Sequence, residues 1–413
     1  MSALEPFGPA TPPQKWLLID GSSTFGGHQV MLERWIGELG AQGRVVPRLL
    51  ARDGSMLRER QARYVAASSL PSDASIAGHF GWLQKALADA RVVFSTIEAE
   101  QPELCVLVEG CLLSQPWLAL LCKLSGRPFA TYIPITDQTR ALGFRSGPIR
   151  DFLTKILFGN LPDAWVTLTR EQADAFASWA RVRRDVFVLP NAVAPHIEDE
   201  GRRPRLEQAE PGSEQRVLVF GRLDSYQKGL DFLLAFVERQ ARELSGLKLR
   251  LVGDGPGRTD VLALLERAPG LASVLELAAF SAPVPAMRAH DVLLLPSRFE
   301  GVPLVMLEAM ALGLPVVASD LPGTRAFIAP ECLFAVGDLQ RAFEIVRELR
   351  DPERRRAVVL RNRERFTTLA SGAAFSGSVA RLTDALVALA AKKHLGRVKT
   401  RGGALRATEQ GVA

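Results

Sequence analysis

The sequence predicts an α/β protein built from two doubly wound domains, each a parallel sheet covered by helices. Three observations carry this. Short apolar runs alternate with helix-period segments along almost the whole chain, the grammar of a parallel sheet wrapped by helices. At 413 residues the chain exceeds what one core ordinarily organises, so two domains are the default. The stretch DVLLLPSRFEGVPLVMLEAMALGLPVVASD, Asp291 to Asp320, is itself a complete strand, loop, helix and strand.

Taken in order, KWLLID (Lys15 to Asp20) is a first buried strand, and GSSTFGGH leads from it into a helix from about Gln29 to Ala41. Gly26 and Gly27 stand at that strand-to-helix turn, where backbone can approach a ligand closely, although their spacing is not G-x-G-x-x-G. His28 follows them and reads more readily as a capping or surface residue than as one facing a ligand. Further strands are expected at Val45 to Ala51, Cys105 to Val108, Phe129 to Ile133, Ala164 to Leu168 and Val186 to Leu189. Helices should lie between them at about Ile76 to Glu100, Pro116 to Ser125, Pro148 to Phe158 and Arg170 to Ala180. The turn Thr136 to Thr139 follows a strand at the edge where such sheets bind ligands, which makes Asp137 the polar candidate there.

A charged, turn-rich linker, GRRPRLEQAEPGSEQ, follows VLPNAV and puts the domain boundary near residue 190. The domains are then 1–190 and 191–390, with a basic, disordered tail at 391–413. After the strand Arg216 to Phe220 comes a loop bracketed by Arg222 and Lys228, then the helix of GLDFLLAFVE. Taken singly each cation is more often a surface charge. Together they can form a diphosphate clamp, an arginine fork plus a compact ammonium. LRLVGDGPGRTD places Gly253, Gly255 and Gly257 in a strand-to-helix turn, but Arg258 occupies the position where a dinucleotide fingerprint needs glycine. Helices follow at about Leu339 to Arg350, Arg354 to Phe366 and Ala373 to Ala390.

Within Asp291 to Asp320, Pro303 suits the first helical turn and Gly313 stops the helix. Gly301, Val302, Pro303, Leu304 and Val305 form the entry to that helix, where free N–H groups and the positive end of the helix dipole favour an anion. Glu300 and Glu308 are eight residues apart, about 12 Å if the helix is continuous. Acid and base pairs of glycosidases sit at roughly 5 to 9.5 Å, so this spacing suits two contacts on one long ligand better than hydrolysis.

EGVPLVMLEAMALGLPVVASD resembles the E-x7-E signature of retaining glycosyltransferases of family 4, and FAVGD at Phe334 to Asp338 continues the likeness. Pro322-Gly323 and Ala326 depart from the family's usual Gly-Gly and Glu, and Ala192 stands where the P-N-G-V segment has glycine. The resemblance implies the GT-B fold, two Rossmann-like domains facing an interdomain cleft. It implies a nucleotide-sugar donor held by the C-terminal domain. Arg222 and Lys228 would hold its phosphates, Glu300 its sugar and Glu308 its ribose, with Gly26, Gly27 and Gly253 lining the donor. Many family members place a histidine near Asp137, and this chain has none there. The implied reaction is transfer with retention to a saccharide or lipid-linked acceptor, in polysaccharide or envelope glycan synthesis. No metal is expected to be required, since no Asp-x-Asp pair occurs. The alternatives are a GT-B epimerase or hydrolase, and a nucleotide-sugar binding protein without activity. A nicotinamide dehydrogenase fails on its fingerprints.

Composition adds exclusions. Residues 1–190 carry 20 basic and 18 acidic side chains and residues 191–390 carry 25 and 26, so the net charge of +6 belongs mostly to 391–413, with 6 and 1. Nucleic-acid binding is not expected from such a tail. Cys105, Cys111, Cys122 and Cys332 show neither metal spacing nor a C-x2-C pair, and read as buried thiols of a reducing compartment. The Pro-rich start lacks a secretory pattern, and Leu104 to Cys122, the most membrane-like run, is broken by polar residues. A cytoplasmic protein is expected, with possible peripheral contact at the inner membrane face through Pro148 to Gly159. There Ile149, Phe152, Leu153, Ile156 and Leu157 form an apolar stripe flanked by Arg140, Phe144, Arg145, Arg150 and Lys155. A core-facing helix is the commoner fate of such a stripe.

Overall fold

A computed structural model describes residues 12–22, 26–71, 81–202 and 214–409. The chain forms two units, each with its own parallel sheet. In the first, β1 (Gln14–Asp20), β2 (Val45–Ala51), β3 (Leu104–Val108), β4 (Phe129–Tyr132), β5 (Ala164–Thr167) and β6 (Asp185–Val188) take the order β2-β1-β3-β4-β5-β6. In the second, β7 (Gln215–Phe220), β8 (Leu247–Val252), β9 (Leu275–Ala278), β10 (Val292–Leu295), β11 (Val316–Ser319) and β12 (Leu333–Phe334) take the order β12-β11-β10-β7-β8-β9.

The continuous apolar runs become strands because both faces of each sheet are covered. Trp16, Leu17, Leu18 and Ile19 are fully enclosed, as are Leu293, Leu294, Val316 and Val317. Each sheet has one place where neighbouring strands send their chains in opposite directions, and ligands of such sheets bind beyond the strand ends there. It lies between β1 and β3 in the first unit and between β7 and β10 in the second.

The second unit comprises Leu168–Gln172 and Leu189–Gly377, and the chain from Ser378 onward groups with the first unit. The segment expected as a loose tail differs from that expectation, because the helix Gly372–Glu409 runs through it. Its path is fixed by packing: Val379, Leu382, Leu386 and Ala390 are buried at helical spacing, and Lys393 pairs with Asp163 at 2.8 Å. Leu104 to Cys122 is strand β3, a loop and the helix Pro116–Leu124, as its polar breaks imply, and among the described residues one helical window within Pro352–His394 is long and apolar enough to cross a membrane, with 39% of it buried. The four cysteines are free, three of them buried and Cys111 half-buried. The first residues of the helix expected from Ile76, and most of the linker after Arg202, lie outside the described residues.

Candidate functional site

In the second unit, the loops that leave β7 and β10 flank the crossover point, and they carry the residues the sequence singles out. Lys228, at the end of the β7 loop, makes an ion pair with Glu300 of the β10 loop. Ser297 donates its hydroxyl to the same Glu300 oxygen at 3.0 Å. The sequence treats Lys228 and Glu300 as separate contacts for a ligand, whereas the fold joins them. Glu300 is 8% exposed, so removing the Lys228 charge would strand its carboxylate in a poorly solvated place. Arg222 is exposed, makes no ion pair with any described residue, and lines a small pocket with Gly221, Lys228, Pro296 and Ser297.

Close backbone approaches fix these loops. A Cβ on Gly229, whose φ is +65°, would lie 1.9 Å from the Pro296 carbonyl oxygen, so only glycine lets the two loops meet. A Cβ on Gly323 would lie 1.5 Å from the carbonyl oxygen of Gly301, so this position too needs glycine. Gly253 is likewise required by packing, with the Gly221 carbonyl oxygen 1.8 Å from where its Cβ would be. Arg298 joins the loops from above: its guanidinium pairs with Asp231 at 2.5 Å and lies 3.8 Å from the centre of the Phe232 ring and 4.3 Å from that of Tyr226. Asn191, buried in the VLPNAV segment, donates to the Val302 carbonyl at 2.7 Å. The sequence places Ser297 and Arg298 only in the loop before the helix and Asn191 only in the VLPNAV segment, and the contacts of their side chains appear in the fold alone.

The helix begins one residue later than expected. Pro303 is its N-cap, with φ −61° and ψ 124°, and Leu304–Ala311 is helical. The first N–H groups, from Leu304 and Val305, therefore have no carbonyl one turn back inside the helix. Gly301 and Val302 are buried just before the cap. Glu300 is outside the helix, so the 12 Å separation from Glu308, which assumed a continuous helix, does not apply. Glu308 is half-buried on the second turn.

The first unit has its own polar cluster at the β1/β3 crossover. Gly26 caps the helix Gly27–Gln42 with an extended φ of −145°, and its N–H is accepted by Gln29 Oε1 at 3.1 Å. Gln29 in turn donates to the buried Asp20 at 2.6 Å. His28 shares a 3.0 Å hydrogen bond with Ser22, and burial holds its pKa below the usual value against the opposing pull of Asp20. Glu109, at the end of β3, is 3% exposed and accepts from the Gln115 N–H at 3.0 Å. Burial pushes its carboxyl up to about 7, against the N–H of Gln115 and the charge of Arg150. Asp137 follows β4, one strand away from the crossover; it is half-buried, and burial raises its pKa. The sequence names Asp137 and passes over Glu109, because EGC after an apolar strand carries no motif.

The Glu109 shift sets a pH dependence. A carboxyl whose pKa rises on folding stabilises the native state fully below its unfolded pKa of about 4.5, and loses that contribution as pH rises through about 7. Glu109→Gln should therefore flatten the stability profile between those values, by up to about 3 kcal/mol in urea unfolding. Identical slopes for the two proteins would mean that Glu109 is ionised in the native state.

Residues 214–351 match the family model described as Glycosyl transferases group 1. The chain is 29% identical over 167 residues to the amylovoran biosynthesis glycosyltransferase AmsD of Erwinia amylovora, which is 40% of this chain and 46% of that protein. It is 29% identical over 208 residues to a phosphatidyl-myo-inositol mannosyltransferase of Mycolicibacterium smegmatis, 48% of this chain and 49% of that one. The chain thus spans about half the length of the curated relatives it matches. Among solved structures, Anabaena Alr3699/HepE in complex with UDP and glucose aligns with a TM-score of 0.66 at 19% identity, over 90% of this chain and 99% of that one. The apo lipopolysaccharide outer core galactosyltransferase WaaB aligns with a TM-score of 0.63 at 16% identity, over 90% and 99%. At those identities the likeness is one of fold, and the fold is GT-B.

Proposed function

We propose that this chain is a retaining glycosyltransferase that moves a sugar from a nucleotide donor to a saccharide or lipid-linked acceptor in polysaccharide or glycolipid synthesis. The observation that carries this reading is the Lys228–Glu300 pair at the crossover of the second sheet, beside an open helix start and inside the matched region. A nucleotide diphosphate sugar needs cations and N–H donors at its diphosphate and an anion at its sugar. Arg222, Lys228 and the N–H groups from Gly301 to Val305, Pro303 excepted, would stabilise charge on the diphosphate, and one such preorganised donor contributes about 3 kcal/mol to lowering a barrier. Glu300 would hold sugar hydroxyls and favour positive charge at the anomeric carbon, and Glu308 would hold the ribose. As the bond from that carbon to the diphosphate oxygen breaks, the acceptor oxygen bonds to the carbon on the same face. Its proton passes to the departing oxygen, so no separate protein base is required.

The test is a turnover assay over UDP-, GDP- and ADP-sugars, with and without a saccharide or lipid-linked acceptor. Acceptor-dependent release of nucleoside diphosphate supports transfer, and equal donor consumption without acceptor would make the protein a hydrolase or epimerase. Activity should survive EDTA, because the helix start with Arg222 and Lys228 supplies the positive charge that a divalent cation would otherwise bring. Full loss with chelator, restored by Mg²⁺ or Mn²⁺, would contradict the metal-independent site.

A further inference from the structure

The helix Gly147–Ile156 is built inside out. Its buried residues are Gly147, Asp151 and Thr154, while Ile149, Phe152 and Ile156 are 65%, 60% and 61% exposed. Leu157 and Phe144 extend the exposed apolar face, and Leu153 alone of the stripe leans on the core. The phase is fixed by polar contacts. Asp151 accepts from the Thr139 N–H at 2.6 Å and the Thr139 hydroxyl at 2.8 Å, and Thr139 is fully buried. A Cβ on Gly147 would lie 2.4 Å from the Cα of Arg140, so the start of the helix is pressed against the same loop. Burying two polar side chains while leaving three large apolar ones in water is the reverse of a helix that merely covers a sheet.

The far end of this helix adjoins a strongly basic pocket. Asn160, four residues beyond the helix, donates to the Arg181 carbonyl at 3.0 Å and accepts from the Arg183 N–H at 2.7 Å. Arg183 and Arg184 then form one wall of an open pocket of about 520 Å³ at the amino ends of β4, β5 and β6, on the opposite edge of the sheet from Glu109. Lys123, Arg127, Lys392 and Lys393 complete its cationic lining. Of its two acids, Asp163 is already paired with Lys393. Lys123, Arg183, Arg184 and Lys392 make no ion pair with any described residue.

We propose that the exposed face of Gly147–Ile156 and this basic pocket form one docking surface for an anionic phospholipid bilayer. The apolar residues enter the acyl boundary and the lysines and arginines meet phosphate headgroups. Both halves are needed: an apolar face binds an interface in proportion to the area it buries, and each nearby Lys or Arg adds attraction to anionic lipid. Arg145 and Lys155, exposed beside the apolar face, carry the same sign of charge. The inference stands apart from the sugar-transfer reading, since none of these residues belongs to the site around Glu300.

Vesicle flotation of the full chain tests it. The protein should float with phosphatidylglycerol-containing vesicles, far less with pure phosphatidylcholine, and progressively less as salt rises. Phe152→Ser with Ile156→Ser, and separately Arg183→Glu with Arg184→Glu, should each lower binding about tenfold or more. All four positions are exposed, and unchanged near-UV circular dichroism verifies folding. Equal binding to neutral vesicles, no binding to either, or full binding by both variants overturns the proposal. Thermal stabilisation by glycerol phosphate without flotation would reassign the pocket to a soluble phosphate. A dimer in sedimentation that the serine pair abolishes, without flotation, would reassign the apolar face to a second copy of the chain.

Discussion

Replacing Glu300 by glutamine is expected to slow sugar transfer by about 10²-fold or more while nucleoside diphosphate still binds. Glutamine keeps the shape and an oxygen for the Ser297 hydroxyl. It removes the negative charge that is to face the developing positive charge on the sugar, and the loss falls on the transition state. The ion pair adds a second consequence. With its counter-charge gone, the Lys228 ammonium needs another anion, and the donor phosphates are the nearest candidate in the proposed complex. Nucleoside diphosphate should therefore bind at least as tightly to the variant in calorimetry. An unchanged turnover rate would remove Glu300 from the chemistry, and a matching loss of nucleotide affinity would make its role one of holding the loops together.

Gly229→Ala should destabilise the second unit by about 3 kcal/mol, the sum of left-handed backbone strain and a forced separation from Pro296. The new methyl would meet the Pro296 carbonyl oxygen at 1.9 Å, an atom of the backbone with no rotamer to escape through. Since Lys228 precedes this residue and Ser297 follows the proline, the shift should also open the Lys228–Glu300 pair and lower activity beyond the loss of folded protein. A melting temperature within a degree or two of the parent would show that the loops move apart without cost. The close approach would then not be what sets the site.

The alternation of strands and helices was readable from the sequence because its signals are local. WLLI, LCVLV and VLLL are apolar over a strand's length, and helix stops such as Gly313 act on their own neighbours. Arg222, Lys228 and Glu300 could be singled out for a related reason, as each stands in a loop at the end of a recognisable strand, whereas Glu308, on the second turn of the following helix, was marked by the resemblance to the E-x7-E signature. Tertiary structure decided what pairs with what. Lys228 and Glu300 are 72 residues apart, Asn191 and Val302 are 111 apart, and no local pattern announces such contacts. Glu109 resembles any other strand-end carboxylate until the walls that desolvate it are assembled. The orientation of Gly147–Ile156 is the sharpest case. Its apolar stripe is plain in the sequence, but which way the stripe faces is set by Asp151 reaching Thr139, twelve residues away. Periodicity gives a helix two faces, and only the polar groups waiting on the other side of a contact decide which one is turned inward.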